Sequence, residues 1–103
     1  MSILKSIIKD EYNRLHELKE IYIEELKKLP KGSIFKRKIK NQDYYYLNYR
    51  DNNKVKSEYL GKENSTKLKQ LLDFLKQRKD IEMDLKKVND GIKEIERTKF
   101  INE

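Results

Sequence analysis

The sequence predicts an α+β fold: two long helices paired as an antiparallel coiled-coil hairpin, with a three-stranded antiparallel β-meander inserted at one tip. Apolar residues recur about every 3.6 positions in residues 2–29, the period of an α-helix. In residues 66–99 they alternate at spacings of 3 and 4, the seam of a coiled coil. Between these stretches, residues 33–60 are short β-rich runs separated by turn signals. The 103 residues allow one domain, 1–103.

The first helix places Leu4, Ile8, Tyr12, Leu15, Leu18, Tyr22, Leu26 and Leu29 on one side, and Pro30 marks its end. His16 falls on its charged side and reads as a solvated residue.

Turn signals at Lys31-Gly32, Asn41-Gln42-Asp43, Asp51-Asn52-Asn53 and Gly61 leave three strands, Ser33–Lys40, Tyr44–Arg50 and Lys54–Leu60. Alternation assigns their faces. Phe35, Ile39, Tyr45, Leu47, Tyr49, Val55 and Tyr59 are expected to pack on the second helix, with Arg37 an awkward companion. Lys36, Lys38, Lys40, Tyr44, Tyr46, Asn48, Arg50, Lys54 and Lys56 are expected on the open face.

Asn64 or Ser65 is placed to cap the second helix. Its seam is Leu71, Phe74, Arg78, Ile81, Leu85, Val88, Ile92 and Ile95, broadened at the start by Leu68, Leu72 and Leu75. Arg78 in the seam either snorkels to water or pairs with an acid such as Glu25. Gly91 inside a helix costs about 1 kcal/mol and marks either a close helix approach or nothing. Apolar surface left on such a hairpin makes a homodimer through the helices an expected partner arrangement.

Charge identifies the candidate site. Residues 31–62 hold nine Lys/Arg against three acids, most of the chain's +7, with six of its ten aromatic residues. Cations interleaved with tyrosine suit phosphate attraction combined with base contact. The expected nucleic-acid-binding residues are therefore the nine of the open face, with Asn48 and Arg50 best shaped for base edges. Contact with roughly 4–6 phosphates implies a log–log salt slope of about −4 to −5 on duplex DNA. The competing readings are a face that docks on a protein and a plain Lys-rich solvated sheet, since edge lysines also resist aggregation.

The run from Gly32-Ser33-Ile34-Phe35-Lys36-Arg37-Lys38 through Tyr44-Tyr45-Tyr46-Leu47-Asn48-Tyr49-Arg50 to Lys56-Ser57-Glu58-Tyr59-Leu60-Gly61 resembles a known domain. It is similar to the AP2-like arm-type DNA-binding domain of tyrosine-recombinase integrases. That resemblance covers residues 32–61 and implies a helix-backed sheet entering the major groove through Lys36, Lys38, Tyr44, Tyr46, Arg50 and Lys56. The chain departs from it in its long first helix and in having no catalytic domain. As a whole it resembles small uncharacterised prokaryotic helix/β-meander/helix proteins often found in mobile elements. This second resemblance implies an alternative role: a protein-binding regulator or inhibitor of a nucleic-acid-processing or defence complex.

No catalytic set is legible. There is no cysteine and one histidine, so the usual zinc sites and nucleophile arrangements are unavailable; no metal, no cofactor and no enzyme activity are expected. Carboxylates such as Glu24-Glu25 and Asp80/Asp84 lie among lysines as surface ion pairs would. With no apolar run of membrane-spanning length and no signal-peptide core at the start, a cytoplasmic location without a membrane partner is expected.

Overall fold

A computed structural model describes residues 2–98. The expected α+β architecture is present: α1 (Ile3–Lys27), β1 (Ser33–Ile39), β2 (Gln42–Asp51), β3 (Lys54–Gly61) and α2 (Thr66–Arg97). The described residues form two compact units. One is α1 through Lys28 with α2 from Lys79 onward, and the other is Leu29–Arg78.

In the helical unit, Ser2 caps α1 in an extended conformation, its Oγ accepting from the Lys5 amide at 3.1 Å. The helix ends two residues before the expected Leu29. Pro30 disfavours helical geometry at the residue before it, and the last turn closes with Lys28 N–H on the Glu25 carbonyl. α1 and α2 pack antiparallel around Leu15, Val88 and Ile92, with Tyr12, Leu18, Tyr22 and Ile95 against them. Gly91 marks a close approach: a Cβ there would lie 3.1 Å from Leu15 Cδ1. Leu4, expected in the buried stripe, is exposed, as are Ile3, Ile7, Ile21 and Met83. His16 is not solvated as expected. It is half-buried with its ring edge-on to Tyr12 at 4.5 Å, and its covered Nε2 makes no hydrogen bond. α2 ends at Arg97, and the remainder of the expected 66–99 helix includes Lys99, which lies outside the described residues.

In the sheet unit, the strands are ordered β1-β2-β3 and both pairings are antiparallel. Two-residue turns join them at Lys40-Asn41 and Asn52-Asn53, all four residues having positive φ, as a type I′ turn requires. Leu47, Leu60, Leu68 and Leu71 form the core between sheet and α2, with Ile34, Tyr45, Tyr49 and Leu75 around it. Leu75, and not Phe74, continues the buried stripe of α2; Phe74 and Leu72 are exposed. Arg78 is half-buried and donates from Nη1 to the Leu29 carbonyl at 3.3 Å, so a backbone acceptor holds it in the seam.

Ser65 is the residue that starts α2. Its Oγ accepts from Leu68 N–H at 3.2 Å and donates to the Leu60 carbonyl at 2.6 Å, tying the helix to the end of β3. Gly61 permits this turn, with φ of +115° and Ser65 Cβ 2.7 Å from where a side chain would begin.

Candidate nucleic-acid interface

The two-residue turns decide which side chains share a face. In such a hairpin the residues flanking the turn pair directly and point the same way. Ile39 therefore pairs with Gln42, and the ladder continues as Arg37 with Tyr44, Phe35 with Tyr46 and Ser33 with Asn48. On the other side Asp51 pairs with Lys54, Tyr49 with Lys56, Leu47 with Glu58, Asn48 with Ser57 and Tyr46 with Tyr59. Leu60 follows Tyr59 on the opposite face by alternation and reaches the core, and an irregularity between Tyr45 and Tyr46 then pairs Tyr45 with Gly61.

This ladder corrects the expected assignment on two strands of three. β2 is as expected, with Tyr45, Leu47 and Tyr49 toward α2 and Tyr44, Tyr46, Asn48 and Arg50 away from it. β1 and β3 are reversed. Phe35, Ile39, Val55 and Tyr59, expected in the core, are on the open face, and Arg37 goes with them. Lys36, Lys38, Lys54 and Lys56, expected on the open face, are on the helix side, and Lys40 belongs to a turn. The expectation rested on three-residue turns, and one residue of slip inverts every side chain of a strand.

The resulting open face is aromatic. Phe35 and Tyr46 stack across strands, centroids 5.2 Å apart and planes 18° apart. Tyr46 meets Tyr59 at 5.4 Å, and Tyr59 meets Tyr44 at 6.2 Å, both tilted. Four rings from three strands thus form one continuous surface, with Tyr59 50% exposed and Ile39 and Val55 exposed beside it. Ser57 donates to Asn48 Oδ1 at 2.6 Å, leaving the Asn48 amide N–H₂ available.

The charges segregate too. All three acids of the segment are on the helix side of the sheet, where Asp51 pairs with Lys56 at 2.8 Å, Glu58 with Lys67 at 2.6 Å and Asp43 with Lys36 at 4.0 Å. The open face carries Arg37 and Arg50 and no carboxylate of the three strands points to it, and among the described residues no ion pair engages either. Its surface is therefore positive and ring-bearing, though with two cations in place of a lysine row.

Elsewhere in the sheet unit an open groove of about 200 Å³ runs between β3 and α2. Leu47, Leu60 and Leu71 line it, and Phe74 borders it beside the Glu58–Lys67 pair. In α1 the Arg14 guanidinium bonds Glu11, at 2.8 Å from Nε, holding the carboxyl below its usual range. No group of three or more metal-ligating side chains occurs among the described residues, and no described helix is long and apolar enough to cross a membrane.

Comparison with known proteins gives one family. Its sequence model, described as a domain of unknown function (DUF6788), matches residues 8–70, from α1 through the whole sheet to the start of α2. No curated protein and no solved structure matches the chain.

Proposed function

This chain belongs to the DUF6788 family, and from its own surface we propose that it is a non-enzymatic nucleic-acid-binding protein acting through the open face of its sheet. The observation that carries the reading is the four-ring surface of Phe35, Tyr44, Tyr46 and Tyr59, attended by Arg37 and Arg50 and free of carboxylates. The ring surface left open to water is unfavourable until something covers it, and nucleobases offer flat π-faces that do so. The guanidinium groups supply phosphate contact and can themselves stack.

Of the nine residues expected to bind, Tyr44, Tyr46, Asn48 and Arg50 remain in this proposal, and Phe35, Arg37 and Tyr59 join them. Lys36, Lys38, Lys54 and Lys56 leave it as direct contacts, because they belong to the other face, and Lys40 leaves it because it belongs to a turn.

A second reading has support in Ile39 and Val55, 41% and 67% exposed at the margins of the rings. Tyrosine, arginine and exposed aliphatics together also describe the centre of a protein–protein interface. In that reading the chain is a regulator docking on a protein complex. Fluorescence anisotropy of labelled DNA and RNA against the full chain separates the two. Binding that Arg37→Ser with Arg50→Ser weakens supports the nucleic-acid reading; no binding even at low salt leaves the protein-partner reading.

A further inference from the structure

Resting on that reading, we infer that the ligand of the open face is single-stranded nucleic acid, DNA or RNA, recognised by stacking on the ring row more than by phosphate neutralisation. Duplex and single strand offer a protein different things. A duplex hides its base faces inside the stack and presents phosphates and groove edges, so affinity for it grows with the number of phosphates met by Lys or Arg. An unpaired strand presents the base faces themselves, and aromatic side chains take them up without regard to sequence.

The inventory of the open face matches the second. Phe35, Tyr46 and Tyr59 form a row that crosses all three strands, with Tyr44 adjoining Tyr59. Arg37 pairs across from Tyr44, while Arg50 is six residues further along β2. At about 3.4 Å per residue this places the two guanidinium groups roughly 20 Å apart, one toward each end of the aromatic surface. Two separated cations suit a strand whose backbone passes over the rings and is held at its flanks. They do not make the continuous phosphate track a duplex needs. The lysines that would make one are on the helix side, where Lys36, Lys56 and Lys67 already face Asp43, Asp51 and Glu58. Asn48, its oxygen taken by Ser57, offers amide hydrogens to the edge of an unstacked base between the rings and Arg50.

The test uses the full chain with one labelled mixed-sequence DNA oligonucleotide, free and annealed to its complement, titrated by anisotropy at several salt concentrations. The inference predicts tighter binding of the free strand by about tenfold or more, the margin that a single stacked base supplies. It predicts a log–log salt slope near −1.4, from two phosphate contacts on a single strand. Tyr59→Leu keeps apolar bulk at a half-exposed position but removes the π-face, and should weaken single-strand binding about 5- to 150-fold. Tyr59→Phe keeps the π-face and should retain it, and circular dichroism of both variants checks the fold. Equal or tighter binding of the duplex, or a slope on the free strand as steep as −4, would overturn the single-strand inference while leaving nucleic-acid binding intact. Absence of binding to either form would overturn the functional reading itself.

Discussion

The two faces of one small sheet are built from the same kinds of residue and arrive at opposite surfaces. Toward α2, leucines and two tyrosines make a core, and every lysine-bearing position has an acid on the same face. Away from α2, rings pack on one another and two arginines share a face with no carboxylate of the three strands. Stability is therefore concentrated on one face and unused interaction capacity on the other. Basic composition alone does not identify a binding surface; what matters is which cations the register leaves unneutralised.

Substitutions across the two faces should separate these roles. The largest loss of stability is expected from Leu68→Ala, at 2% exposure the most buried residue of the sheet unit's core, costing about 2–5 kcal/mol in a denaturant melt. Gly32→Ala should follow at about 1–3 kcal/mol, because φ is +147° and the new Cβ would lie 2.5 Å from the Asn48 carbonyl oxygen. Tyr46→Ala removes the central ring of the open face. It should cost about 1–3 kcal/mol of stability, at about 0.5–1.5 kcal/mol for each of its two ring pairs, and markedly weaken binding of a single-stranded oligonucleotide. Lys56→Ser breaks an exposed pair with Asp51, so about 0.2–1 kcal/mol in the melt and unchanged oligonucleotide affinity are expected. A binding loss from Lys56→Ser as large as that from Tyr46→Ala would show that the wrong face has been assigned.

The smallest effect is a pH effect in the helical unit. The hydrogen bond from Arg14 lowers the Glu11 pKa in the folded chain. Its contribution is present above the carboxylate's unfolded pKa and is lost as pH falls through the depressed folded one. Glu11 is exposed, so Glu11→Gln should shift the melt barely at neutral pH, and any difference from the parent should vanish on acidification.

Much of this was legible in the sequence. Long periodic stripes define α1 and α2 because burial repeats over many turns, so a local irregularity such as Phe74 for Leu75 does not obscure the helix. Strand positions were legible from Gly32, the asparagine turns and Gly61. The pairing of faces was not, since it depends on whether a turn holds two residues or three. The signal was present in Asn41, Asn52 and Asn53, residues that tolerate positive φ and favour the two-residue type I′ turn. Lys40 concealed it, because lysine rarely adopts the left-handed conformation it has here, at φ of +49°. Arg37 was the other clue: a guanidinium assigned to an apolar face is better explained by a register error than by burial.

The most direct test is an NMR titration of the isotope-labelled full chain with a short mixed-sequence single-stranded DNA, following ring and guanidinium signals together with backbone amides. The aromatic signals of Phe35, Tyr44, Tyr46 and Tyr59 and the side-chain signals of Arg37 and Arg50 should move progressively, with the ammonium ends of Lys36, Lys38 and Lys56 little changed. Movement confined to those lysines and α2, with the four rings unmoved, would contradict the assignment of the open face as the binding surface.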